Sequence, residues 1–200
     1  LGLRAPPGRR LLWLRHQMAF YRGIGEGIGV QDQRRRDARV YRSRLQRVAV
    51  LSTIPSMGPR VVLDTNVVVS AFRSRQGASY ALLEQVGSGR FTTCLSVPLM
   101  LEYESVLLRH LRDTGLTRGD VEDVLDFLGL AGEPCAVYFR WRPYLKDADD
   151  DMVLELAVAA GCSRIVTHNV RHFRDLPHFS VEAVTPSRFL REIGDLPWVR

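Results

Sequence analysis

Cysteine is scarce in this sequence: Cys94, Cys135 and Cys162 lie far apart, with no CxxC pair. An odd, scattered set argues against a disulfide framework or a zinc site, and it fits a reducing cytoplasm. Cys94 and Cys162 sit in apolar stretches and read as small core residues. Lysine is scarcer, with Lys146 alone among 28 basic residues. Long apolar runs are absent too. None approaches the roughly 18 residues that span a bilayer, so no membrane segment is expected. The longest candidates, around Val61 and Val153, are interrupted by acids. With 46% hydrophobic residues the default is a folded soluble protein. Its 200 residues suffice for one domain with a real core.

Acids are what the first quarter lacks. Residues 1–56 carry 12 Arg against Glu26, Asp32 and Asp37, a charge of +9 that leaves −3 for the rest of a chain at +6. The stretches APPGRR, GIGEGIGV and QDQRRRDARVYRSR mix Pro, Gly and Arg without sustained periodicity. Such a segment is expected to be a basic, disordered extension. Met57 opens MGPRVVLDTNVVVS, where the compact domain, 57–200, is expected to start. An over-extended gene start would explain residues 1–56; an RNA-binding tail and a targeting segment are the alternatives.

From Arg60 onward the pattern is regular. Arg60 to Val69 is a β-branched run, expected to form a buried strand. A helix over ASYALLEQV follows, then a short strand over Phe91 to Ser96. Pro98 opens a helix over LMLEYESVLLRHL. Thr117 is placed to cap a helix over RGDVEDVLDFLGL. Strands are expected over Pro134 to Phe139, Arg164 to Thr167 and Val181 to Val184. Asp147 to Ala160 reads as a helix ending at Gly161, and Thr185-Pro186 starts a last one. Strands alternating with helices imply an α/β fold with a mostly parallel sheet. Sites in such sheets form at the carboxyl ends of the strands.

Four polar clusters lie at the edges of these elements. Asp64 interrupts the first strand pattern, and a buried carboxylate needs a partner or an open cleft. Asn66, two residues on, would face the same side of a strand, and Ser70 could follow. For a lone Asp the simpler reading is a strand terminator that caps the next turn. Glu102 falls at helical spacing from Leu99 and Val106, near the buried stripe, while Glu104 points elsewhere. In DADDDMVLELAVAAG, acids crowd a helix start, where the dipole favours them. Four in five positions repel one another, which exceeds what capping wants. Asp150 shares a face with Val153, Leu154 and Ala157, and Asp147 lies one turn before it. Asp149 and Asp151 are expected to face solvent. The fourth cluster is Thr167-His168-Asn169, where an aliphatic strand stops. His168 and His172 straddle a strand end and a turn, a poor geometry for a histidine metal pair.

Brought to one edge of a parallel sheet, these carboxylates would be hard oxygen ligands. They suit Mg²⁺ or Mn²⁺, not zinc. The usual work of such an ion is phosphoryl chemistry.

The ordered set LDTNVVVSAF (63–72), LEYESVLLR (101–109), DADDDMVLELAVAAG (147–161), IVTHNVRHF (165–173) and VTPSRFL (184–190) resembles a PIN domain over residues 60 to about 193. The bacterial toxin–antitoxin branch, VapC-like, is the most similar in flavour. The resemblance implies a three-layer α/β/α sandwich and a metal-dependent ribonuclease using Mg²⁺ or Mn²⁺. It places the family's acids on Asp64, Glu102 and Asp150, with Asp147 or Asp151 as further candidates. Asn66, Ser70, Thr167 and Asn169 become supporting or substrate-orienting groups. Asn169 departs from the pattern: the family often has Asp there, and Asn brings no charge. The resemblance further implies RNA as substrate, an antitoxin protein as partner and a homodimer. Arg73, Arg75, Arg109, Arg140, Arg142 and Arg171 are candidates for phosphate contacts, and Trp141 and Tyr144 for base stacking.

Rival readings have weaker support. A non-catalytic RNA-binding module is motivated by Asn169, and a housekeeping RNA-processing nuclease would share the acids. A haloacid-dehalogenase-like phosphatase wants a second Asp where Asn66 stands. A receiver-like phosphoacceptor wants a Lys near a late strand end, and Lys146 is elsewhere. A flap-cleaving nuclease needs more carboxylates and a longer chain.

Overall fold

The computed structural model describes residues 58–138, 144–145, 148–174 and 179–194. The basic extension, Asp147, and the candidate substrate contacts Arg140, Trp141 and Arg142 lie outside the described residues.

Five strands form one sheet: β1 (Arg60–Leu63), β2 (Thr92–Leu95), β3 (Glu133–Pro134), β4 (Arg164–Val166) and β5 (Glu182–Val184). Their order is β3-β2-β1-β4-β5, and every pairing is parallel. Among the described residues the helices are α1 (Thr65–Arg73), α2 (Ala78–Glu84), α3 (Val97–Arg109), α4 (Leu111–Thr114), α5 (Arg118–Ala131), α6 (Ala148–Ala159) and α7 (Pro186–Glu192), with a 3₁₀ turn over Val170–Phe173.

From β1 the chain steps outward to β2 and β3, then returns across the sheet through α6 to β4 and β5. Parallel crossovers are right-handed, so connections running in opposite directions put their helices on opposite faces. The result is a three-layer α/β/α sandwich, with α6 packed across β1, β2 and β4. The direction of winding reverses between β1 and β4. Outside the carboxyl ends of those two strands a crevice must open.

The central strands are buried on both faces, with Val61, Val62 and Leu63 fully sequestered. Tyr103, Phe127 and Phe189 are the largest fully buried side chains. Most helix boundaries follow their local chemistry. Thr117 and Asp120 form a reciprocal capping box at the start of α5. Ser96 caps α3 ahead of Pro98, and Thr185 caps α7 ahead of Pro186.

Two expected strands are shorter than their sequences suggest. The first stops at Leu63, not Val69, because Asp64 caps a helix: its carboxylate accepts the Asn66 N–H at 3.4 Å. Val67, Val68 and Val69 are strand-formers by preference, but all three are buried in α1, and burial overrides a propensity worth tenths of a kcal/mol per residue. The third ends at Pro134, not Phe139. Pro134 has no N–H for a ladder, the Cys135 N–H makes a last bond to Leu95 O at 2.7 Å, and Tyr138 is 85% exposed.

Candidate active site

At the crevice between β1 and β4 the chain delivers Asp64 from one strand end and Thr167 from the other. Both backbones are fixed by the ladder, with Asp64 N–H donating to Val166 O and Thr167 N–H to Val184 O, each at 2.9 Å. Tyr103, fully buried, donates its hydroxyl to Leu63 O from behind. The position of Asp64 is therefore set by backbone bonds, not by its own rotamer.

Its carboxylate closes a polar circuit. Asp64 Oδ2 accepts from Thr167 Oγ1 and from Asn66 Nδ2, both at 2.6 Å. Asn66 Nδ2 also lies 3.1 Å from Thr167 Oγ1, and Asn66 Oδ1 accepts the His168 N–H at 3.1 Å. The Thr167 hydroxyl accepts the Asn169 N–H at 2.9 Å. A hydroxyl has one proton to give and two lone pairs to fill, and Thr167 uses all three. Asn66 thus reaches Asp64 as expected, but through a helix cap; the strand alternation invoked for the pair does not exist there. Burial pushes the Asp64 carboxyl up, against the lowering effect of the Thr167 and Asn66 hydrogen bonds. Burial disfavours its charged form, and a divalent ion bound beside it would favour that form.

Asp150, buried near the start of α6, has Oδ2 2.8 Å from His172 Nδ1. His172 comes from the 3₁₀ turn beyond β4, so β4 positions partners for both aspartates. Glu102 stands half-buried on α3. Asp64, Glu102 and Asp150 line one cleft of about 270 Å³, together with Asp149, Asn169, Asn66, Arg73 and His110. A larger hollow of about 410 Å³ lies at the opposite edge of the sheet. It is bounded by Pro59, Arg90, Ser163 and the Arg164–Glu192 ion pair, so its acid is already paired with an arginine, whereas the acid cluster lies in the smaller cleft.

Several expectations divide here. Asp151 does not face solvent: it is 1% exposed, and its carboxylate accepts the backbone N–H groups of Tyr144 and Leu145, the latter at 2.6 Å. Asp151 anchors the segment leading into α6 and is absent from the cleft lining. Asp149 is exposed as expected, yet it lines the cleft. Ser70 lies on α1 outside the cleft lining. Thr167 is fully buried behind Asp64, and Asn169 is exposed at the cleft. Arg73 reaches the cleft, whereas Arg75, Arg109 and Arg171 are exposed outside its lining. Tyr144 is edge-on to Phe179 with centroids 5.5 Å apart. Sequence reasoning weighed His172 only as half of a histidine metal pair, not as a partner of Asp150, and missed His110. His172 was visible in NVRHF at a strand end, but nothing in the sequence places His110 beside Arg73.

Oxygen-only donors from three carboxylates match the preferences of Mg²⁺ or Mn²⁺. As the side chains stand, however, no three His, Cys, Asp or Glu among the described residues are grouped closely enough to hold an ion.

A family model described as PIN domain matches residues 60–171 of this chain. This chain belongs to the PIN domain family. The matched span runs from the start of β1 into the 3₁₀ turn and contains Asp64, Glu102, Asp150 and Asn169. PIN domains are generally nucleases that use divalent metal ions. Among solved structures, VapBC2 from Rickettsia felis, bound to a DNA fragment from its promoter, is similar at 17% identity and a TM-score of 0.46, covering 62% of this chain and 98% of that one. A comparison with curated proteins gives no match. Among the described residues no helix of this PIN protein is long and apolar enough to cross a membrane.

Proposed function

We propose that this PIN protein is a Mg²⁺- or Mn²⁺-dependent endoribonuclease that acts as the toxin of a toxin–antitoxin pair. The observation that supports it most is the meeting of Asp64, Glu102 and Asp150 in one cleft at the reversal point of the sheet. Residues 57–200 are its nuclease domain. Asp64, Glu102 and Asp150 would hold the ion, with Asp147 as a fourth donor. Bound there, it supplies polarisation of the phosphoryl group and an acidified water.

The protein's own groups do the rest. Thr167 and Asn66 hold the Asp64 carboxylate in one orientation, so it is preorganised before substrate arrives. His172 does the same for Asp150. Hydrolysis joins a water oxygen to phosphorus in line with the departing 3′-oxygen. That oxygen leaves with a proton, giving a 5′-phosphate and a 3′-hydroxyl. Nothing in the residues calls for a covalent intermediate.

A toxin role implies a small antitoxin that covers the cleft, and a homodimer is compatible with it. A second reading, a non-catalytic RNA-binding PIN domain, is favoured by one observation: Asn169 stands at the cleft without a charge. The test is to incubate the full chain with single-stranded RNA and DNA panels in Mg²⁺, Mn²⁺ and EDTA, then identify the new ends. Metal-dependent cutting of RNA to 5′-phosphate ends supports the nuclease. RNA binding without cutting in any metal supports the second reading.

A further inference from the structure

The cleft is lined by four carboxylates, and a nucleic-acid strand approaching them is itself polyanionic. Two cationic or potentially cationic side chains stand among its lining residues, Arg73 and His110. Arg73 is the last residue of α1, and His110 joins α3 to α4. Arg73 Nη2 lies 3.1 Å from His110 Nδ1 and 3.5 Å from Asp113 Oδ2. His110 Nδ1 lies 2.9 Å from the same Asp113 oxygen.

These three contacts cannot all be filled at once. A guanidinium only donates, and a carboxylate only accepts. His110 Nδ1 must therefore either accept from Arg73 or donate to Asp113. When it donates to Asp113, Arg73 loses its partner on the ring and keeps only the long 3.5 Å contact. Arg73 is then available to an outside acceptor, and it is already half-exposed, with 48% of its side chain open to solvent. An anion that takes the Arg73 donors favours the state in which His110 donates to Asp113. Arginine matches a phosphodiester well, because its fork gives two parallel donors to two phosphate oxygens.

We propose that Arg73 is a phosphate-binding residue of this cleft, receiving a backbone phosphodiester of single-stranded RNA beside the scissile one, and that His110 and Asp113 are positioning residues holding it at the cleft mouth. The inference rests on the ribonuclease reading for its choice of RNA, but not on any cutting.

The test is binding of a fluorescent single-stranded oligoribonucleotide to the full chain in EDTA, across a range of salt concentrations. Each phosphate neutralised on a single strand contributes about −0.7 to the slope of log K against log salt. Arg73→Ala is expected to reduce the steepness by about 0.7, and Arg73→Lys to restore it. Arg191→Ala, exposed on α7 and outside the cleft lining, is expected to leave it unchanged. In a His110→Ala background, Arg73→Ala should cost less affinity than it does in the wild type, because the positioning is already lost. An unchanged slope in Arg73→Ala, an equal fall in Arg191→Ala, or no RNA binding by the wild type would overturn the phosphate site. Strict additivity of Arg73→Ala and His110→Ala would overturn the positioning role. A protein that binds with these slopes but cuts no RNA in any metal contradicts the nuclease and leaves the phosphate site standing. One that cuts but shows no Arg73 slope does the reverse.

Discussion

Replacing Asp64 in two ways separates its structural work from its chemistry. Asp64→Ala removes the N-cap of α1, which typically costs about 1 kcal/mol. It also strips the buried Thr167 hydroxyl of its acceptor, worth roughly another 1–3 kcal/mol. Asn66 Nδ2 keeps its 3.1 Å contact with Thr167, so the loss is not larger. Together these give about 2–4 kcal/mol, which at roughly 3 °C per kcal/mol lowers Tm by some 6–12 °C. Asp64→Asn behaves differently. Its one oxygen can take the place of Oδ2 and keep both 2.6 Å bonds, while its amide nitrogen replaces Oδ1 and can no longer accept the backbone N–H groups of the helix start. It also removes a charge that burial disfavours. The net change is expected to stay within about 1 kcal/mol. Thermal unfolding in metal-free buffer at neutral pH reads both. Equal losses for the Ala and Asn variants would refute the circuit as the source of stability at this corner.

Asp151→Ala should destabilise by about 1–3 kcal/mol by freeing the Tyr144 and Leu145 N–H groups, read by urea unfolding beside the wild type. Tyr103→Phe leaves Leu63 O without its buried donor and should cost roughly 1–3 kcal/mol with little change in fold, read by unfolding and far-UV circular dichroism. Partial burial lowers the His168 ring below its ordinary 6.5, against the pull of Asp64. Just below that value the unfolded chain binds more protons than the folded one, so this term of stability grows as pH rises and is complete above about 6.5. Acidification from neutral pH should therefore cost the wild type more Tm than it costs His168→Gln. Asp64, whose carboxyl is raised, acts with the opposite sign and is present in both proteins.

The alternation of strand and helix was readable because each element carries its own punctuation. Pro98, Thr117, Gly161 and Pro186 mark boundaries through local chemistry, and the boundaries fall beside them. The course of 61–69 was harder to read. A run of valines looks the same in a buried strand and in a helix buried on several sides; what decides is the Asp64 side chain bonding the Asn66 N–H, a contact between conformations that periodicity does not encode. Asp150 was legible as the inward acid because it shares a helical face with Val153 and Ala157. Asp151 was not, because its partners, Tyr144 and Leu145, lie before the helix and fold back onto it. His110 and Asp113 come to Arg73 across some 40 residues, and nothing local signals that meeting.

The central claim is that Asp64 and Asp150 act together at a metal-dependent nuclease centre. It is tested most directly by RNA cleavage with wild type, Asp64→Asn and Asp150→Asn proteins, each shown to be folded, in Mn²⁺ and in EDTA. Cutting that needs the metal and disappears in both variants is the predicted result. A wild type that binds RNA without cutting it, or variants that cut as well as the wild type, would contradict the claim.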